Sequence, residues 1–165
     1  MKEELENKLA EKFTFMKKRK SIDEQKANGG IIDNLYSAFG CECSDGWFDL
    51  LYLLCEEIDS AYKKANMPPD IVIMQIKEKF GTLRFYFKFE GSEQEIYAFD
   101  FLSGGGFRFM QKDTPIHKEI SDIVRKYEKK SASVCERCGA AGRLRTERRW
   151  VITLCDKCNN ERMSN

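Results

Sequence analysis

One histidine, His117, is all the imidazole this chain of 165 residues contains. No Ser–His or Cys–His pairing is suggested by spacing, and no paired-carboxylate or metal-hydrolase motif occurs, which weighs against an enzyme. No apolar run approaches the roughly 18 residues needed to cross a bilayer, so no membrane partner is expected. The opening residues, Met1-Lys-Glu-Glu-Leu-Glu, lack the apolar stretch of a secretory signal. Internal repeats and low-complexity segments are missing too. Cysteines without a signal imply a reducing compartment, so the cytoplasm is expected.

Cysteine itself is plentiful. Seven are present, and four of them read Cys135-Glu-Arg-Cys138 and Cys155-Asp-Lys-Cys158. Two C-x-x-C pairs at this separation can set four thiolates tetrahedrally around one zinc ion. A closed four-thiolate shell has no open position for water or substrate, so the zinc is structural. Between the pairs, Gly139 and Gly142 suit a turn, and Leu144, Trp150, Val151, Ile152 and Leu154 supply a short hairpin. A helical turn over 159–163 would favour a treble clef over a plain ribbon.

The net charge of +1 hides a segregation. Residues 1–20 carry seven basic against four acidic side chains, residues 125–165 eleven against five, and residues 21–124 ten against eighteen. Either the basic ends meet phosphates, or the pieces of one fold attract each other.

Periodicity predicts the remaining elements. Leu5, Leu9, Phe13 and Met16 mark a helix over 1–20, closed by the basic run Lys17–Lys20. A short helix is expected over 31–39. Trp47, Leu50, Leu51, Leu54, Ile58 and Ala61/Tyr62 form the stripe of a helix over 46–65, with Asp45 as its cap and Pro68-Pro69 beyond its end. A strand over 71–80 places Val72, Met74 and Ile76 on one face. After Gly81, Leu83, Phe85, Phe87 and Phe89 alternate with polar residues in a second strand. Strands over 96–102 and 107–110, around Gly104–Gly106, complete an antiparallel meander. Thr114-Pro115 opens a last helix with Ile116, Ile120, Ile123/Val124 and Tyr127 on its buried face. The expected architecture is α+β: helices packed on a small antiparallel meander, with a C-terminal four-cysteine module. Its divisions are a helical segment 1–40, a core 41–130 and the module 131–165.

Binding is read from what the alternation leaves outside. Lys79, Arg84, Tyr86 and Lys88 share the polar strand face, and Arg108 follows the triple glycine; basic and aromatic groups there can stack a base and pair with phosphate. That face equally suits solvated sheet, or a cover from the N-terminal helix. Arg143, Arg145, Arg148 and Arg149 in the module are candidates for nucleic-acid phosphates. His117 reads as a capping or surface residue, Cys55 as core, and Cys41 and Cys43 as loop. Alternatives are a second metal site using these four, or an enzyme site around Cys41–Trp47.

Three stretches together resemble a family of small bacteriophage and prophage proteins: Cys43-Ser-Asp-Gly-Trp-Phe-Asp-Leu-Leu-Tyr52, Ile76-Lys-Glu-Lys-Phe-Gly-Thr-Leu-Arg-Phe-Tyr86, and the Cys135–Cys158 segment with Trp150 and Leu154-Cys155. The resemblance spans most of 41–158. The tract 91–113 is longer than in that family, and residues 1–40 have no counterpart. It implies a phage-associated accessory protein in counter-defence or host takeover and no particular activity; with the binding read from the residues, the expected target is a host protein or a small nucleotide.

Overall fold

A computed structural model describes residues 1–19, 23, 34–91, 114–147 and 150–163, with side chains to 161. The N-terminal pattern splits: helix α1 (Glu3–Lys12) stops at Phe13, whose backbone is extended, and a 3-10 turn follows at Thr14–Met16. Leu9, Phe13, Phe15 and Met16 nonetheless enter the same apolar cluster as the rest of the main body. Short helix α2 (Leu35–Phe39) is capped by Asn34, whose side chain accepts the Ser37 N–H.

Helix α3 (Phe48–Lys64) buries Leu50, Leu51, Leu54, Cys55, Ile58, Ala61 and Tyr62, the stripe that the periodicity marks out. It begins two residues later than expected, because Asp45–Trp47 form a 3-10 turn and Asp45 does not cap it. The Asp45 carboxylate instead accepts the Lys2 N–H at 2.8 Å. Past the helix, Asn66 takes a left-handed φ of 52°, and Pro68-Pro69 prevents continuation.

The sheet has the order β1-β2-β3. Strands β2 (Ile71–Lys79) and β3 (Thr82–Phe89) are antiparallel, but β1 (Cys41–Glu42) runs parallel to β2, so the sheet is mixed rather than a pure meander. A register break at Met74 resets the alternation of β2. Ile71, Ile73 and Ile76 therefore join the cluster, in place of the expected set of Val72, Met74 and Ile76. From β3 come Leu83, Phe85, Phe87 and Phe89. The expected strands over 96–102 and 107–110 lie outside the described residues.

Helix α4 (Pro115–Ser131) closes the free edge of β3. Glu128 accepts the Phe85 N–H and Ser131 Oγ the Leu83 N–H, each at 2.8 Å, so two edge donors that would face a dry interior are satisfied. Thr114 caps this helix and Pro115 sits in its first turn, as expected. Burial pushes the Glu128 carboxyl up to about 7, against the pull of the Phe85 N–H and of the Arg84 and Arg125 charges.

After α4 comes the cysteine module: a tight turn at Cys135–Cys138, an antiparallel hairpin β4 (Arg143–Arg145) and β5 (Ile152–Leu154), then helix α5 (Asp156–Met163). A helix starting just after Cys155 and carrying Cys158 gives the treble-clef order rather than a plain ribbon. No helix among the described residues is long and apolar enough to cross a membrane.

Candidate metal centre

The first cysteine pair sits on a turn held by its own backbone. Cys135 O accepts the Gly139 N–H and Cys135 N–H bonds to Ala140 O, both at 2.8 Å, with Gly139 at a φ of 77°. The second pair uses the first turn of α5, where the Cys158 N–H lies 3.4 Å from Cys155 Sγ. All four sulfurs fall within 4.8 Å of one another, and Cys138 Sγ is 3.7 Å from Cys155 Sγ. Thiolates bound tetrahedrally at about 2.3 Å stand about 3.8 Å apart, so the site fits a four-coordinate metal ion. Cys135 and Cys158 are buried, Cys155 is half-buried and Cys138 is exposed.

Desolvation works against the Cys135 thiolate, but backbone N–H groups around it prevail and bring its pKa down to about 7. Desolvation and the adjacent thiols push Cys158 up to about 12. Four thiols this close cannot all ionise without a cation among them, which is the condition a metal satisfies.

Arg145 belongs to this frame and not to a phosphate-binding surface. It is 2% exposed, and its guanidinium donates to Leu154 O at 3.1–3.2 Å and to Asp156 at 2.6 Å, bracketing Cys155. The sequence suggested nucleic-acid contact because a hairpin arginine is usually solvated; here the hairpin folds it inward onto its partner strand. Arg143 is exposed, whereas Arg148 and Arg149 lie outside the described residues.

The module is docked on the main body at two glycines. A Cβ on Gly46 would stand 2.5 Å from the carbonyl oxygens of Cys135 and Glu136, and the Gly46 N–H bonds to Glu136 O at 2.8 Å. Ser44 donates to the Glu136 carboxylate, and the buried Trp47 donates its indole N–H to Val134 O at 2.9 Å. At the second point Gly81, φ 74°, lies against Leu144 and Ile152, and Thr153 Oγ1 donates to Gly81 O at 2.6 Å. Sequence reasoning assigned Gly46 to a helix start and Gly81 to a plain turn. What could have marked Gly46 is its position between Asp45 and a tryptophan at the head of a helix, where a residue other than glycine would form the helix better.

The remaining candidates separate. Lys79, Tyr86 and Lys88 are half-buried on the outer face of the β2–β3 hairpin, and Lys77 Nζ lies 5.4 Å above the Tyr86 ring. Arg84 is not exposed on that face. At 2% exposure it donates to Thr82 Oγ1 and Leu83 O, and its charge acts on Glu128 and Glu78. Alternation assigns a face; it does not reveal that, among the described residues, β3 ends the sheet and α4 lies along it. Arg108 lies outside the described residues. Cys41 lies in β1 rather than a loop, and Cys43 in the bend that follows it; both are buried, and burial pushes the Cys43 thiol up to about 12. Cys55 packs in the core, as expected. His117 caps nothing with its ring, which stacks on Phe89 at 3.7 Å while Nε2 meets Asp70 at 2.9 Å. Among the described residues, the only group of three or more such side chains within metal-binding reach is the Cys135/Cys138/Cys155/Cys158 set.

No protein-family model, curated protein or solved structure matches the chain.

Proposed function

We propose that the chain is a non-catalytic binding protein stapled by one structural zinc ion on Cys135, Cys138, Cys155 and Cys158. The observation that carries this reading is the four-sulfur cluster, set in a module with almost no apolar interior of its own and seated on the main body through Gly46 and Gly81. Zinc suits a closed four-thiolate shell, since it needs no ligand-field geometry and undergoes no redox change. Its work here is mechanical: it makes a rigid platform of two short strands and a helix.

In this proposal the protein acts in the cytoplasm of a bacterial host as a phage or prophage accessory factor, engaging a host protein or a small nucleotide. The resemblance of its three motifs supports that role. The alternative of nucleic-acid binding through the module's arginines loses Arg145 to the frame and keeps Arg143. An enzyme site around Cys41–Trp47 is disfavoured because its polar groups hold the fold together: the thiols are buried, Asp45 bonds Lys2 and Trp47 bonds Val134.

The test is metal analysis and native mass spectrometry of the protein purified from cells under reducing conditions. One zinc per chain, with a protein or nucleotide retained, is the expected result. A folded, metal-free chain would sink the proposal.

A further inference from the structure

The tip of the β2–β3 hairpin has an unusual turn. Phe80 and Gly81 both adopt left-handed backbone, with φ of 54° and 74°, in a two-residue loop where Asn-Gly is the favoured pair. A bulky aromatic at that position is strained. Its side chain is also 49% exposed, so burial offsets only part of that strain. The second exposed aromatic at this place comes from the module. Trp150 is 64% exposed and lies two residues from Ile152, which packs against Gly81; its side chain opposes the upward pull of burial on the Glu78 carboxyl, the group that accepts the Gly81 N–H. The hairpin tip at Phe80 and the module segment at Trp150, seventy positions along the chain, thus meet at one place, and both rings stay open to solvent.

Positive charge accompanies the rings. Lys79 Nζ lies 5.3 Å above the Phe80 ring, and Lys77 Nζ covers Tyr86 farther along the same strand face. Aromatic faces held rigid beside lysines are the apparatus that binds single strands without reading sequence: every base has a π face, and cations follow the phosphates. The geometry points to a single-stranded nucleic-acid site at the joint, with Phe80 and Trp150 stacking bases and Lys77 and Lys79 meeting phosphates. The inference rests on the reading of the chain as a zinc-stapled binding protein, and it puts a single strand in place of the host protein or small nucleotide as the partner.

The test uses the full chain with its zinc content measured, titrated at low salt with a fluorescein-labelled oligothymidylate of about 12 nucleotides. Binding should raise the label's anisotropy and weaken steeply with salt. It should also quench tryptophan emission from Trp150, because the other tryptophan, Trp47, is fully buried. Trp150→Ala should weaken binding roughly tenfold or more. Phe80→Asn should weaken it by a comparable factor while raising the melting temperature by roughly 2 °C, since asparagine tolerates the left-handed turn. A purely structural Phe80 would give the reverse on stability. Zinc-loaded protein that ignores the oligonucleotide, variants that bind as well as the parent, or displacement by an equal concentration of thymidine monophosphate would each overturn the site. Binding by a chain without zinc would instead sink the zinc reading and leave the site standing.

Discussion

Among the described residues, the main body gathers twenty-seven buried side chains into one apolar cluster, while the module's own cluster is Cys135, Leu154 and Cys158, with Ile152 and Cys155 alongside. The first is sufficient to fold by burial, at roughly 1.5–3 kcal/mol per large apolar side chain. The second is far below what a free-standing unit requires, and three of those five residues belong to the four-cysteine set that could hold a metal. Proximity to the main body does not remove the difference, since the joint is made of close backbone contacts and hydrogen bonds rather than of a shared apolar seam. Two regions of one chain are therefore stabilised by different physics, and they should fail under different insults.

The largest effect is expected from the metal. On the zinc-stapled reading, a chelator or the substitution Cys135→Ser should withdraw on the order of 10 kcal/mol from the module. Hydrogen exchange should then rise across 134–163 while α3 and the β2–β3 hairpin stay protected. Thiol labelling sharpens the contrast: after chelation four cysteines should react quickly, and buried Cys41, Cys43 and Cys55 slowly. Uniform loss of protection would break the comparison, since it would mean that the main body also depends on the metal.

Next comes the joint. Gly46→Ala places a methyl 2.5 Å from two backbone carbonyls, which cannot yield as a side chain can. A cost on the order of 4 kcal/mol is expected in denaturant unfolding, at unchanged zinc stoichiometry. A silent Gly46→Ala would mean that module and body do not touch as described.

The smallest effect belongs to the main body alone. Glu128 titrates near 7 when folded and near 4.5 when unfolded, so between those values the folded state holds the extra proton. Stability from this group is present below about pH 4.5 and is lost as pH rises through 7. Glu128→Gln keeps an acceptor for the Phe85 N–H without the buried charge. It should flatten this slope, with a difference from the parent of about 2–3 kcal/mol at pH 8, measured with zinc held in excess.

Legibility differed between the two regions as well. The grouping of the four cysteines, the stripe of α3, the core side of β3 and the capped start of α4 were all readable, because cysteine spacing, helical period and strand alternation are local and repeat. Parallel β1 was not, since two residues carry no period. The shift in β2 was hidden as well, because a bulge leaves no signature in the composition of a strand whose every position is apolar up to Met74.

The candidate surfaces show the same limit. Arg84 and Arg145 look like solvated cations in any linear reading, and they became buried fixtures only when α4 covered an edge strand and β4 folded onto β5. The sequence by itself determined what each segment is: which stretches are helix or strand, which residues are apolar, and which four thiols belong together. Tertiary structure alone decided where the segments meet. Gly46 and Gly81 sit in two of the three quoted motifs, and both touch the third. Such contacts depend on side chains and backbone brought together from sixty-three to ninety positions away, and no local period encodes that distance.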